Sequence, residues 1–419
     1  MKFSQKIIKI LLWSQEYTKT DVFYLTTGGF WLILEKIVFN VSGFLLIIAF
    51  ANLLSKETYG TYQYVLSIAS ILSIPTLSGM NNSIVMAVAK GYEGSLVPAI
   101  KTQIHWGILG GLMSLGVAGY YFLNNNTTLA ISFLIISIFI PLMNPLANYQ
   151  AFWTGKKLFD VQTKYNTIIR IVAVGVLVTT ILLTKNIIFI FVVYFSSYTL
   201  LYFIFLRITI KKMSPAQKQD PQIISYGKQL SLLNVIGVIS NQLDKILLWY
   251  FLGAEVLSIY LFATAPVQQM KGLLKTLRPL ALPKFSQYYK QKSKIALFNK
   301  IIKLFPIMIF TTIMYIILIP YFYNIFLPQY KESIFYSQLF SITLIFIPQI
   351  LLTTFLTAQK KIREIYIFQS SFYLVQIILL VILLPLYGIF GAVVALILNQ
   401  FLNFFILLFL FKSSCISQS

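Results

Sequence analysis

The chain has one cysteine and one histidine in 419 residues. Cys415, near the end, has no second thiol to pair with, which excludes a disulfide framework and a thiolate metal site. His105 alone removes histidine metal clusters and most nucleophilic triads, so no cofactor is implied. Acidic residues are scarce as well, 11 Asp and Glu against 33 Lys and Arg, and only 11% of the chain is charged. A sequence that is 58% hydrophobic, with a mean hydropathy of +0.81, carries more apolar surface than a water-soluble globule can bury. It reads as a polytopic membrane protein. A cleavable leader is also missing: MKFSQKIIKILLWSQEYTKTD breaks its apolar run at Lys6 and Lys9 and offers no small-residue cleavage site. That start fits a short amphipathic helix on the inner leaflet, with Trp13 at the headgroups.

What is present is a succession of apolar windows, each long enough to cross about 30 Å of hydrocarbon as a helix. Twelve are expected, from 28–52 to the closely spaced 364–384 and 387–411, which part at Pro385-Leu386-Tyr387-Gly388. With a cytoplasmic N-terminus, the inner segments hold 27 of the 33 basic residues, nine of them from Lys271 to Lys303. The outer loops hold only Lys56, Lys185 and Lys331. This asymmetry places both termini in the cytoplasm and assigns most of the net charge of +22 to topology and anionic headgroups rather than to nucleic acid.

The chain also repeats itself. LSKETYGTYQY at 54–64 superposes on LGAEVLSIYLF at 252–262, matching Leu54 with Leu252, Glu57 with Glu255 and Tyr62 with Tyr260. GKKLFDV at 155–161 superposes on QKKIREI at 359–365 in the same order. Offsets of 198 and 204 imply a duplicated unit of about 200 residues. The expected organisation is an amphipathic segment at 1–25, a first lobe at 26–206, a polar linker at 207–225, a second lobe at 226–412 and a tail at 413–419. No loop is long enough to fold as a separate domain, so function lies within the membrane or at its faces.

Ionisable groups inside spans are expensive and by default face a cavity or one another. On the seventh span Asn234, Asn241 and Lys245 are 7 and 4 residues apart, within roughly 20° of one helical face. Lys245 lies about 10 Å deep, and snorkelling outward or pairing with Asp244 is its plainer role. On the eighth span Gln268, Lys271, Lys275 and Arg278 form one cationic face, a candidate inner mouth, although the last two also suit the membrane edge. Arg170, one turn beyond Asn166, and Lys36, one turn before Asn40, extend the pattern. Glu35 is a candidate coupling carboxylate. Gly107, Gly110, Gly111, Ser114 and Ala118 give the third span a small-residue face for close helix contact, and Pro75, Pro141, Pro145, Pro266 and Pro348 mark possible helix breaks.

The stretch GGFWLILEKIVFNVSGFLLIIAFANLLSKETYGTYQY at 28–64, the DKILLWYFLGAEVLSIY hairpin at 244–260, and the loops TGKKLFDVQTKYN and TAQKKIREIYIFQ together resemble the polysaccharide biosynthesis and O-antigen flippase (Wzx-like) family. The resemblance implies an all-α multidrug and oligosaccharidyl-lipid exporter fold of two pseudo-symmetric six-helix lobes in a bacterial cytoplasmic membrane. It also implies movement of an undecaprenyl-pyrophosphate-linked oligosaccharide to the outer leaflet through a cationic cavity, with Lys36, Arg170, Lys245, Lys271 and Arg278 as candidates. The implied partners are that lipid, the surrounding bilayer and the polysaccharide polymerase machinery. A multidrug exporter would favour an acidic cavity, whereas only Glu35 and Asp244 are acidic within spans. A membrane polymerase would need a sizeable outer loop, and a purely structural protein leaves the polar stripes unexplained.

Overall fold

The computed structural model describes residues 22–213, 218–275, 291–359 and 361–416, among which there are helices and 3-10 turns and no strand. The helices are α1 (Val22–Leu53), α2 (Lys56–Leu72), α3 (Met80–Ala89), α4 (Leu96–Leu123), α5 (Thr127–Leu146), α6 (Tyr149–Gly155), α7 (Phe159–Leu183), α8 (Ile187–Lys211), α9 (Ile223–Lys275), α10 (Gln291–Phe326), α11 (Ser333–Ser341), α12 (Gln349–Ala358) and α13 (Ile362–Ile416). Their surfaces are apolar outward: Leu183 is 83% exposed and Phe409 71%, which only lipid can accept.

Among the described residues nine helical segments are long and apolar enough to cross a membrane, and α2 with the stretch 74–89, bent by 48°, makes a tenth. Two of the ten are too long for one crossing. Helix α9 has 53 residues and α13 has 55, about 80 Å each if straight at 1.5 Å per residue. Each is a hairpin. Gly253 (φ 85°) and Gly388 (φ 60°) interrupt them in the region of positive φ that glycine enters without a Cβ penalty. Hydrogen bonds across the breaks confirm the reversal. Tyr260 donates to Asp244 Oδ2 at 2.6 Å although the two are 16 residues apart, a separation of about 24 Å along a continuous helix. Ser371 reaches Asn403 Oδ1 at 3.3 Å across 32 residues. Dividing both runs gives the twelve crossings the hydropathy implied, with breaks where the sequence placed them.

By its contacts the chain forms two compact units: Met1–Ile47 with Leu72–Val235, and Ile48–Ile71 with Ile236–Ser419. The contact boundary therefore falls inside α9, and the segment from Ile48 to Ile71 joins the second unit. The connector expected at 207–225 is helical at both ends, since α8 runs to Lys211 and α9 starts at Ile223.

In the first unit two helix breaks are tied together by amides. Pro75 sits in a 3-10 turn, Ile74–Thr76, where α2 gives way to α3, and the freed carbonyls have no water to turn to. Gln103, 2% exposed on α4, donates Nε2 to the carbonyls of Thr76 and Leu77, both at 3.0 Å. Its Oε1 accepts from Asn148 Nδ2 in the second break, between α5 and α6, and Asn144 there donates to Thr76 Oγ1 at 3.1 Å. The small-residue face of α4 serves packing. A Cβ on Gly110 would stand 2.3 Å from the Leu72 carbonyl, and Ser114 donates to the Phe133 carbonyl of α5 at 2.8 Å.

The second unit breaks its corresponding helix at the corresponding place. Helix α11 passes through a 3-10 segment, Ile342–Phe346, and α12 resumes at Gln349 behind Pro348, 200 residues after Tyr149 opens α6. Pro141 and Pro266, by contrast, stay inside α5 and α9 without ending them. Helix α2 is seated directly on the α9 hairpin. A Cβ on Gly60 would meet the Ala254 carbonyl oxygen at 1.8 Å, Tyr64 stacks on Trp249 at 3.9 Å, and Lys56 bridges Glu332 at 3.2 Å and Glu255 at 3.8 Å. The repeat first seen at Leu54 and Leu252 thus marks two helix starts that pack together.

Two variants test these contacts by thermal unfolding in detergent. Gln103→Leu removes the side-chain donor to the Thr76 carbonyl, while the Leu77 carbonyl keeps the Met80 N–H at 2.9 Å, and should cost about 1–3 kcal/mol for the group left unpaired. Gly60→Val drives its side chain into backbone and should destabilise more than Gly116→Val, whose added Cβ meets nothing within 4 Å. Equal melting temperatures for the two glycine variants would contradict the close approach.

Candidate functional site

Each unit encloses a cavity. The one in the first unit, about 360 Å³, lies among α1, α5, α6, α7 and α8, with four tyrosines in its wall. Glu35 and Arg170 both line it. Glu35 accepts from Asn166 Nδ2 at 2.8 Å and from Thr163 Oγ1 at 3.3 Å, and Tyr149 donates to Asn166 Oδ1 at 2.6 Å. Arg170 donates Nε to Ser42 Oγ and Nη1 to the Tyr198 hydroxyl, both at 2.9 Å, with its guanidinium 4.4 Å from the Phe39 ring centre. The contacts to Glu35 and Arg170 hold a charge of each sign in place, and Tyr149 in turn orients Asn166.

The cavity in the second unit is larger, about 900 Å³, and is walled by both arms of α9, by α11 and α12, and by both arms of α13. Asn241, Lys245, Gln268 and Lys271 all line it, so the helical spacing that grouped them on two faces does bring them to one place. Lys245 donates Nζ to Gln242 Oε1 at 2.9 Å, and Lys271 Nζ lies 4.8 Å from the Phe340 ring centre. Much of the remaining lining is amide and hydroxyl.

Asp244 departs from expectation. Its carboxyl makes no ion pair with Lys245; Oδ1 accepts the backbone N–H of Lys245 at 2.9 Å and Oδ2 accepts from Tyr260. Adjacent residues on a helix point about 100° apart, so the side chains diverge, and the carboxyl is drawn to the opposite arm of the hairpin. Asp244 is therefore a staple, 8% exposed, rather than a counter-ion held for Lys245.

The other candidates fall elsewhere. Asn234 lines neither cavity; it is exposed in the first unit, with Nδ2 3.4 Å from Ser78 Oγ. Lys36 lines neither and rests 5.2 Å from the Phe39 ring centre. Arg278 lies outside the described residues, as does the side chain of Lys275. Sequence reasoning missed the tyrosine wall of α8, Tyr194, Tyr198 and Tyr202, spaced one turn apart, and the amides of α13. Both had a signal. Gln369, Tyr373 and Gln376 recur at i, i+4 and i+7 in an otherwise apolar span, which a scan for ionisable groups alone passes over.

No curated protein is similar enough in sequence to match. Among solved structures, lipid II flippase MurJ in an inward closed conformation is similar at a TM-score of 0.65 and 16% identity, over 91% of this chain and 87% of that one. An outward-facing multidrug resistance MATE family transporter of the MOP superfamily is similar at 0.57 and 11%, over 94% and 96%. A MOP superfamily transporter from Pyrococcus furiosus is similar at 0.55 and 11%, over 93% and 96%. At these identities the likeness establishes the all-α polytopic fold. The family model described as polysaccharide biosynthesis protein matches residues 25–289, well over half of the sequence. The chain belongs to that family, built on the fold of the MOP-superfamily transporters.

Proposed function

We propose that the protein is a flippase that carries an undecaprenyl-pyrophosphate-linked oligosaccharide from the cytoplasmic to the outer leaflet of a bacterial inner membrane by alternating access. The observation that carries this reading is the charge of the larger cavity. Lys245 and Lys271 face it together, while Asp244, the one acidic group on its wall among the described residues, is engaged by Tyr260 and by backbone. A pyrophosphate diester bears about two negative charges, and moving them through a low-dielectric region requires fixed cations. The lipid tail stays in the bilayer beside the apolar helix faces while the head passes. An inside-negative potential assists, by about 2.3 kcal/mol per charge per 100 mV.

Among the described residues a cationic drug would find no free carboxylate in this cavity, which weighs against a multidrug role despite the MATE-like fold. The basic residues set the orientation, with both termini and the nine cations of 271–303 in the cytoplasm. The Lys56, Glu255 and Glu332 cluster then lies at the outer face, where the oligosaccharide is handed to polymerising enzymes.

Transport of lipid-linked oligosaccharide into proteoliposomes, at matched protein levels, tests the cations. Lys271→Glu should reduce flipping at least 10-fold, while Lys412→Glu, an exposed position of similar charge, should leave it within about twofold. Lys245→Arg should keep most activity and Lys245→Glu should lose it. Equal effects at Lys271 and Lys412 would assign the cations to surface charge alone. Reporter fusions test the orientation: a fusion at Lys331 should report from outside, and a cytoplasmic signal there would overturn the scheme.

A further inference from the structure

Transport through the second-unit cavity leaves the first-unit cavity without a role, and Glu35 is a liability there for a carrier of anions, since a carboxylate repels phosphate. Glu35 and Arg170 line that cavity together, both half-buried, yet among the described residues neither takes part in an ion pair. An acid and a base in one low-dielectric cavity attract each other, and only competing contacts keep them apart. Those contacts are neutral and come largely from the facing helix: Asn166 of α7 holds Glu35 of α1, and Ser42 of α1, with Tyr198, holds Arg170 of α7. Helices α1 and α7 thus present one fixed negative and one fixed positive group, anchored at Asn166 and Arg170, one turn or about 6 Å apart.

Both groups keep bonding capacity. Each carboxylate oxygen of Glu35 accepts one hydrogen bond, from Asn166 or from Thr163, and has a second lone pair to offer. Arg170 commits Nε and one N–H of Nη1; its Nη2 has no partner in the protein and is not buried, so it is accessible on a side chain that lines the cavity. The unused lone pairs call for a cationic donor and the unused N–H groups for an anionic acceptor. Inorganic phosphate or a simple cation satisfies one of the two and is repelled by the other. A zwitterion satisfies both, and the one-turn spacing requires its charges on one compact head. A primary ammonium supplies donors to Glu35, a phosphate matches the guanidinium edge, and the tyrosine rings accept the ammonium from the side. At about 360 Å³ the cavity has the size of a small-ligand site.

We propose that the first-unit cavity binds a phosphoethanolamine head, its ammonium on Glu35 and its phosphate on the Nη2 edge of Arg170. The head comes from a phosphatidylethanolamine of the bilayer or from a phosphoethanolamine free in water, and the chemistry recognised is the same. This site goes beyond the flippase reading and stands whether or not the lysines of the second unit carry a lipid-linked oligosaccharide.

The test is calorimetric titration of the full chain, in nanodiscs of phosphatidylglycerol alone, with O-phosphoethanolamine, inorganic phosphate and ethanolamine. The native protein should bind O-phosphoethanolamine at least about 10-fold more tightly than either single-charge probe. Glu35→Gln, which keeps the shape and removes the charge, should cut that preference to below about threefold, and Arg170→Gln should weaken O-phosphoethanolamine by about 10-fold or more. If Glu35→Gln does not fold, Glu35→Asp, with its carboxylate drawn back by one methylene, is read by the same ratio. Replacing the phosphatidylglycerol with phosphatidylethanolamine separates the sources: a lipid head that enters the site weakens the soluble probe by competition, and a site closed to lipid leaves the probe unchanged, so either result upholds the site and names its source. Equal affinity of the native protein for O-phosphoethanolamine and inorganic phosphate, a preference unchanged in Glu35→Gln, or no binding of O-phosphoethanolamine overturns the site. So does loss of O-phosphoethanolamine binding in Lys271→Ala but not in Glu35→Gln, which would assign the probe to the lysine cavity.

Discussion

A carbonyl or N–H released inside hydrocarbon has no water to bond, and this constraint decides where the protein can be irregular. Each break in a helix must be repaired by a polar side chain or must face a cavity. The first unit takes the first course: Gln103 donates to the Thr76 and Leu77 carbonyls near Pro75 and pairs with Asn148 of the second break. One buried glutamine thus ties two helix breaks of the first unit to each other. The second unit takes the other course at Pro348, where α12 opens onto its larger cavity. A discontinuous helix in a transporter is useful for that reason, because it supplies polar groups at membrane depth that a continuous helix would keep to itself.

The same economy governs the hairpins. Gly253 and Gly388 turn the chain with almost no loop, so the paired arms must be fixed by contacts along their length. Asp244 with Tyr260 and Ser371 with Asn403 do this in the two cases. Helix α2 then packs against the first hairpin so closely that Gly60 cannot carry a side chain there. Lys56, with its two glutamates, closes the end of the packing with a modest ionic contribution, since both glutamates are largely solvent-exposed.

Much of the fold was legible in the sequence because its signals are local or periodic. Hydropathy gave the spans, Gly253 and Pro385–Gly388 gave the tight breaks, and the Leu54 and Lys156 echoes gave the duplication. The site was legible only in part. Asn241, Lys245 and Lys271 reach one cavity because helical spacing is preserved in the fold. Asp244 was misread because its neighbour in sequence is a lysine, whereas its partner lies 16 residues on, along the returning arm. Neighbourhood across a hairpin depends on where the turn sets the register, which the residues flanking Asp244 do not encode. The open edge of the Arg170 guanidinium is further removed still, since an unpaired atom is defined by everything around it.

Duplication gives the two halves one architecture and leaves their chemistry free to diverge. At the break between α5 and α6 one copy carries Asn148 beside a glutamine that satisfies it, and at the break between α11 and α12 the other carries Gln349, whose oxygen is buried without a partner. In the first unit the cavity is small, has four tyrosines in its wall and holds one acid and one base, each tied to neutral partners. In the second it is more than twice as large and combines two lysines with uncharged amides. For the anionic lipid cargo proposed above, the two lysines supply the attraction at the phosphate. Charge placed on every wall would hold the cargo too tightly to release it. Amides supply orientation without that penalty, because each neutral hydrogen bond contributes only about 1 kcal/mol net. The two copies thus share a pattern of helices and differ in how charged and neutral polar groups are distributed along it.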